Sequence, residues 1–264
     1  MNPRPNTHLH LWLQDTLLVP CELYPLTGGS SNTLYQVICG QQRYVLRVNA
    51  PNTVAFSVNR ACEAKVLELI QPYPWAVQTI RNDVAQGLCL MQAYAPLQVI
   101  NQHHLAQVLN AIHSLQSIVI PEPDLSTLTI NYSNLTAQYY QHWQEFPDTN
   151  AAQLLNHWQQ GLSTLPAIPK VLVHHDLHLG NLCRSTLAPH SLILIDWEYA
   201  GLGNAWFDAV ALVRLGLSTQ ALQTLPAFQA LTAQQWEDGL QIATRLTQVL
   251  TDLWYWARGH AEHE

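Results

Sequence analysis

Asp176, Asn181 and Asp196 are the residues of this chain whose types and spacing can do chemistry. Two short apolar runs lead to the carboxylates: Val171 to Val173 before His174-His175-Asp176, and Leu192 to Ile195 before Asp196. A buried strand that ends on a carboxylate aims it rigidly, and this spacing suits phosphoryl transfer. One aspartate orients or deprotonates an attacking hydroxyl. An asparagine five residues on and a second aspartate in the next strand-loop hold magnesium against nucleotide phosphates. Hard oxygen donors of this kind match Mg2+. His174 is placed to orient the loop through hydrogen bonds. A rival chemistry would use His174, His175, Asp176 and His178 as a transition-metal cluster. It leaves the stretch around Asp196 unexplained, and adjacent side chains at a strand end point oppositely.

These groups need a scaffold. Residues 6–19 read as a helix with the stripe Leu9, Trp12, Leu13 and Leu17, ended by Pro20. Strands over Cys21 to Leu26 and Thr33 to Ile38 flank a Gly-rich turn. Paired glycines let backbone N–H groups approach phosphate closely, so Gly28, Gly29, Ser30, Ser31 and Asn32 form a candidate nucleotide loop. An ordinary hairpin loop is the plain alternative, and neither the Walker nor the dinucleotide fingerprint is present. Arg43 to Val48 alternates as a strand, and residues 58–70 form an amphipathic helix. Residues 75–94 predict two strands around a turn at Arg81-Asn82-Asp83, the second apolar and central. Gln102 to Gln116 is helical on the stripe Leu105, Val108, Leu109, Ile112 and Leu115, with His113 inside it as a hydrogen-bonded structural histidine. Residues 117–131 form a loop, and helices fill 132–146 and 150–163. Ala209 to Leu217 is an apolar helix, and Leu231 to Arg258 holds one or two more.

His174-x-Asp176-x-x-x-x-Asn181, followed by Ile195-Asp196-Trp197-Glu198-Tyr199-Ala200-Gly201, resembles the core of the aminoglycoside phosphotransferase and choline kinase superfamily. The Asp-Trp-Glu-Tyr-Ala-Gly version is most similar to the choline/ethanolamine kinase and thiamine kinase branches. The resemblance implies an α+β, protein-kinase-like fold of two lobes. An N-lobe over residues 1–94, an antiparallel sheet plus helix, would cover ATP. A mainly helical C-lobe over residues 95–264 would carry the catalytic loop, metal site and substrate pocket. The resemblance puts Asp176 and His174 in the catalytic loop, Asn181 and Asp196 at Mg2+, and the Gly-rich residues with Arg47 at the ATP phosphates. Arg47 stands where kinases carry a lysine. Glu63 is the helix carboxylate expected to pair with it, with Glu68 as second choice. Gln92 and Tyr94 would border the nucleotide through main-chain groups, with the lobe boundary at Tyr94 to Leu97. Glu198 either helps hold a cationic substrate or serves local structure, and Asp208 braces the catalytic loop.

The last part of the chain carries Trp236, Trp254, Tyr255 and Trp256. Aromatic faces attract quaternary ammonium groups. By the same resemblance Trp254 and Trp256 are candidates to line the pocket of a cationic alcohol, with core packing as the alternative for each ring. The implied reaction is ATP plus a small primary alcohol giving ADP plus a phosphomonoester. Choline or ethanolamine leads, thiamine follows, and an aminoglycoside or sugar comes third. Outside the enzymes, the alternative is an inactive nucleotide-binding protein, against which the retention of Asp176, Asn181 and Asp196 argues.

Composition narrows the rest. The 264 residues are 48% hydrophobic with nine Trp and ten Tyr, which describes a globular chain. Charged residues make up only 11%, against about 25% in an average protein. The net charge of -7 argues against a nucleic-acid surface, which needs basic clustering, and is compatible with a cationic small-molecule partner. No apolar run approaches the ~20 residues of a membrane span, and the first residues lack a signal-peptide pattern. Cys21, Cys39, Cys62, Cys89 and Cys183 are scattered and odd in number, which predicts reduced thiols in a cytoplasmic protein.

Overall fold

Helical and alternating apolar periods build the first part of the chain in turn. The computed structural model describes residues 7–27, 32–51, 57–185 and 191–261, so Gly28, Gly29, Ser30 and Ser31 lie outside the described residues. Helix α1 (Thr7–Leu17) buries Leu9, Trp12 and Leu13. Strands β1 (Glu22–Leu26), β2 (Thr33–Cys39) and β3 (Gln42–Val48) follow, then α2 (Arg60–Ile70), β4 (Thr79–Asp83) and β5 (Leu88–Gln92). The five strands form one antiparallel sheet in the order β1-β2-β3-β5-β4. One sheet face packs Val37, Leu46, Leu88 and Leu90 against α1. Because side chains alternate along a strand, Arg47 beside Leu46 points to the opposite face, where α2 lies.

Arg81, Asn82 and Asp83 do not form the expected turn. They continue β4, with Arg81 opposite Leu90 and Asn82 opposite Cys89. The chain reverses over residues 84–87, where Asp83 Oδ1 accepts the Gln86 N–H. Gly87 there takes a φ of +67°, a conformation that costs glycine little.

After β5 the chain enters β6 (Ala95–Pro96), then α3 (Gln102–Gln116), α4 (Leu125–Leu128), α5 (Tyr132–Glu145) and α6 (Thr149–Thr164). Asn101, Asn131 and Asp148 cap α3, α5 and α6 with side-chain oxygens, as short polar residues at helix starts do. His113 is exposed rather than part of the buried stripe of α3. The expected loop over 117–131 contains α4, whose Leu128 is buried.

Strands β7 (Val171–Val173), β8 (Leu182–Arg184), β9 (Leu192–Leu194) and β10 (Gly201–Gly203) precede helices α7 (Trp206–Leu215), α8 (Thr219–Leu222) and α9 (Ala233–Ala261). Residues 231–258 therefore fall in a single helix after its lead-in. Strand β8 pairs with both β6 and β9, and β7 pairs with β10. The principal core joins α2 and α3 to β7, β8, β9 and α7 through residues such as Val66, Ile70, Val108, Ile112, Leu172, Leu194 and Trp197. A separate cluster packs α5 and α6 on α9 through Tyr139, Leu155, Trp158, Leu246 and Leu253. This is the antiparallel-sheet lobe and mostly helical lobe of the protein-kinase-like fold.

The cysteines depart from expectation. Cys21 and Cys39 are joined as a disulfide, with Cα atoms 4.5 Å apart. The reason is register: Glu22 faces Ile38 across β1 and β2, which brings the next residue out on each strand together. Cys62, Cys89 and Cys183 are free and buried.

Candidate active site

The two catalytic-type carboxylates are set by tight local geometry at the ends of β7 and β9. His175 and Asp196 both occupy the left-handed region, with φ of 67° and 63°. Residues with a Cβ adopt it at a cost that surrounding contacts must offset. At β7 the compensating group is Asp208, whose Oδ2 accepts the His174 N–H and Oδ1 the His175 N–H, each at 2.8 Å. Asp208 is buried on the first turn of α7. Burial pushes its carboxyl up to about 6, although the two backbone donors pull it down.

The His174 ring is fully buried and does not reach the open side of the loop. Its Nε2 meets the Ile195 carbonyl at 3.0 Å, and its Nδ1 accepts the Asp176 N–H at 3.3 Å. Those partners require one neutral tautomer, with the proton on Nε2. Burial holds the ring down at about 4, so it is neutral at neutral pH. His174 is a brace between the two strand ends. Trp197 supports it from below, with ring centroids 4.4 Å apart. His175 turns away to the Tyr132 hydroxyl, 2.9 Å from its Nε2. Its ring and that of His174 therefore cannot share a metal ion.

Asp176 remains partly exposed. Asn181 donates through Nδ2 to the Asp176 carbonyl at 2.8 Å and to Asp176 Oδ2 at 2.9 Å. This turns the amide oxygen of Asn181 the other way. The Asn181 carbonyl accepts the Ile195 N–H at 3.1 Å, tying Asn181 to the residue before Asp196. Burial works to raise the Asp176 carboxyl, but His178, His174 and the Asn181 amide together hold it below the usual carboxylate range.

From the sheet, Arg47 forks onto Glu63 of α2, with Nη1 to Oε1 at 2.6 Å and Nη2 to Oε2 at 2.8 Å. Its Nε donates to Asn49 at 3.0 Å. A guanidinium has five donors, so this pairing leaves capacity for phosphate oxygens. Burial disfavours charge on both partners, yet their mutual attraction raises Arg47 and lowers Glu63. Glu68, the second choice, is exposed and pairs with Lys65. Gln92 and Tyr94 direct their side chains into the scaffold. Gln92 donates to the Arg43 carbonyl, and the Tyr94 hydroxyl accepts the Gln78 N–H.

The cleft carries more negative than positive charge. Burial pushes Asp196 up to about 7, reinforced by Glu198 and then by Asp176 and Glu63, with Arg47 opposing. A carboxylate so crowded by its neighbours, with Asn181 tied to the residue before it, suits a bound divalent cation, which would relieve the repulsion. Of the two roles read for Glu198, its contacts are those of local structure: its Oε2 accepts from Arg60 at 3.0 Å and from Asn32 at 2.9 Å. Gly201 closes the motif because a Cβ there would lie 2.7 Å from the Leu128 carbonyl oxygen. An open groove of about 1260 Å3 runs past Tyr132, Tyr140 and Asn204. Neither Asp176 nor Asp196 lines it, but its Tyr132 hydroxyl reaches His175, the neighbour of Asp176.

The aromatic residues of α9 divide. Trp236 is buried against Trp206 and Phe228. Trp256 packs edge-on to His142 of α5, 4.9 Å between centroids, in the cluster that joins α5, α6 and α9. That contact places Trp256 in core packing, the alternative given for each ring. Trp254 reaches the catalytic segment, through its indole N–H and the Tyr199 hydroxyl at 3.3 Å. The Arg258 guanidinium lies 4.9 Å over the Trp254 ring.

The family model for the phosphotransferase enzyme family matches residues 22–241. The chain belongs to that family. It is thus a phosphotransferase with a hydroxyl acceptor, and the matched span holds every residue of the cleft except those of late α9. No curated protein matches this phosphotransferase in sequence. Solved structures share its fold at low identity. Choline kinase LicA from Streptococcus pneumoniae aligns with a TM-score of 0.69 and 15% identity, covering 97% of this chain and 98% of its own. An ethanolamine kinase from Plasmodium vivax gives 0.65 and 15%, over 92% and 77%. A spectinomycin phosphotransferase in complex with ADP and spectinomycin gives 0.63 and 13%, over 97% and 87%. Among the described residues no helix is long and apolar enough to cross a membrane.

The sequence alone did not point to Arg60 or Tyr132. Their partners Glu198 and His175 lie 138 and 43 residues away. The type of Arg60, a cation on the first turn of a helix that also carries Glu63, was the one available signal.

Proposed function

We propose that this phosphotransferase moves the terminal phosphoryl group of ATP to the hydroxyl of a small cationic alcohol, of the choline or ethanolamine type. The observation that carries the transfer chemistry is convergence. Asp176 with its Asn181 partner, Asp196, and the Arg47–Glu63 pair act on one another across a single cleft. Asp176 orients the acceptor hydroxyl and receives its proton as the oxygen attacks. Arg47, held flat by Glu63 and Asn49, contacts phosphate oxygens with its remaining donors. Asn32 borders the phosphates, and the main chain at Gln92 to Tyr94 borders the adenine. Asn181 and Asp196 would hold Mg2+, which when bound neutralises phosphate charge. His174, Trp197 and Asp208 keep the two strand ends in register. Transfer of this kind depends on positioning and electrostatics more than on base strength.

The cationic acceptor is supported by the acidic excess of the cleft and by Tyr199 and Trp254 beside it. Trp254 already carries a guanidinium on its ring, so its face suits a cation. The test is ADP release with Mg-ATP across choline, ethanolamine, thiamine, aminoglycosides and simple sugars. Strong stimulation by choline or ethanolamine is the expected result. Stimulation by thiamine alone keeps the cationic class and changes the alcohol, and stimulation only by neutral sugars overturns the acceptor reading.

A further inference from the structure

Arg60, the first residue of α2, is nearly buried, with a side chain 12% exposed. Its Nη1 donates to Glu63 Oε2 at 2.9 Å and to Glu198 Oε2 at 3.0 Å, and its Nη2 donates to Asn32 Oδ1 at 2.9 Å. Asn32 closes the ring by donating to Glu198 Oε2 at 2.9 Å, and its Oδ1 also accepts the Ala50 N–H. One guanidinium thus joins the last residue of the Gly-rich loop, the helix carboxylate that holds Arg47, and a carboxylate two residues beyond Asp196.

We propose that Arg60 is a positioning residue, clasping the sheet lobe to the catalytic segment by holding Glu198 and so keeping that charge matched beside Asp196. The proposal rests on the phosphotransferase reading above and concerns a residue that reading does not use. The physical case has three parts. A planar fork can satisfy three oxygen acceptors in fixed directions, which an ammonium cannot do as well. A buried carboxylate stripped of its partner is costly and projects its full field into the surroundings, here toward the phosphate and metal end of the cleft. The fold does not depend on this contact: α2 is capped by Asn59 and buried through Val66, Leu67 and Ile70, and Glu198 lies in a segment anchored by the buried Trp197. The clasp therefore sets how the two lobes meet.

The experiment is calorimetric titration of Mg-ADP into the wild type, R60Q, R60K, E198Q and the R60Q/E198Q double variant. Thermal unfolding of each ligand-free protein accompanies it. No acceptor is needed. R60Q should weaken Mg-ADP binding by about tenfold, within the usual range of coupling between sites. Adding E198Q should restore affinity to within about threefold of wild type, since the unmatched charge is then gone. R60K should fall between, because it keeps the charge and loses the fork. Wild-type affinity in R60Q, or a double variant that loses the product of the two single losses, overturns the clasp. Should R60Q fail to fold, R60K decides: wild-type affinity there overturns the three-partner role. A wild-type protein that does not bind Mg-ADP would instead sink the phosphotransferase reading, and the clasp with it.

Discussion

Burial alone would make Asp176 a stronger base, yet His178, His174 and Asn181 hold its carboxyl low. A weak base still serves a transfer whose transition state is loose, because the attacking oxygen needs direction more than deprotonation. Asp176→Asn should therefore lower kcat by about a thousandfold while Mg-ATP binding, read by calorimetry, stays near wild type. Near-normal turnover would remove Asp176 from its role. Asp196 is the opposite case. Its carboxyl is raised to about 7, so in the ligand-free fold the proton is favoured below that pH. The stability gained from protonation is lost as pH rises through about 7. A metal needs the ionised form and must displace the proton. Mg-ADP binding should strengthen as pH rises from 6 to 7, level off above 8, and release protons near pH 6.5. Calorimetry in buffers of different ionisation enthalpy reads that release, and its absence would remove Asp196 from the metal. Asp176, Asn181 and Asp196 were legible in their motif spacing, and the Arg47–Glu63 pair only through the family resemblance, although the fork between the two is present. Glu198 was half legible: its nearness to Asp196 followed from spacing, but its partner Arg60 is 138 residues away.

At the scale of elements, strand ends and helix starts position the site, and most were readable from period and caps. The reversal after β4 was misplaced because Arg81-Asn82-Asp83 has turn-like composition. Pairing with the central strand β5 overrode that local preference. Asp208 shows how one helix start governs a distant strand end. Asp208→Ala would strip two buried backbone N–H groups of their acceptor, a loss of about 2 to 4 kcal/mol. Urea unfolding at pH 7 should show the midpoint fall accordingly, and an unchanged midpoint would mean that the donors find other partners. The cysteines were misread for a different reason. Residue counts carry no register, and it is the pairing of β1 with β2 that sets Cys21 against Cys39. Denatured without reductant, the protein should titrate three thiols, those of Cys62, Cys89 and Cys183. Five would return the chain to the all-reduced expectation.

For the whole molecule, the acceptor pocket is where sequence gives least, since it is assembled from segments that meet only in the folded chain. The long helix α9 packs on α6 and α7 and brings Trp254 to Tyr199, while the same helix turns Trp256 into the cluster with α5. Two aromatic residues two positions apart on a helix point about 200° apart, so they could not both have faced one pocket. That geometry separates their expected phenotypes. Trp254→Ala should raise the Michaelis constant for a cationic acceptor by about twofold to thirtyfold, the equivalent of about 0.5 to 2 kcal/mol for a cation on an indole face. Its kcat and its ATP constant should change little. Trp256→Ala should leave the acceptor constant alone and lower the melting temperature by several degrees, as loss of a large side chain from a packed cluster does. Steady-state kinetics and thermal unfolding of the two variants, measured with the alcohol that most stimulates ADP release, make the comparison. An acceptor constant that moves in Trp256→Ala and not in Trp254→Ala would place the pocket on the α5 side of α9 and remove Tyr199 from it.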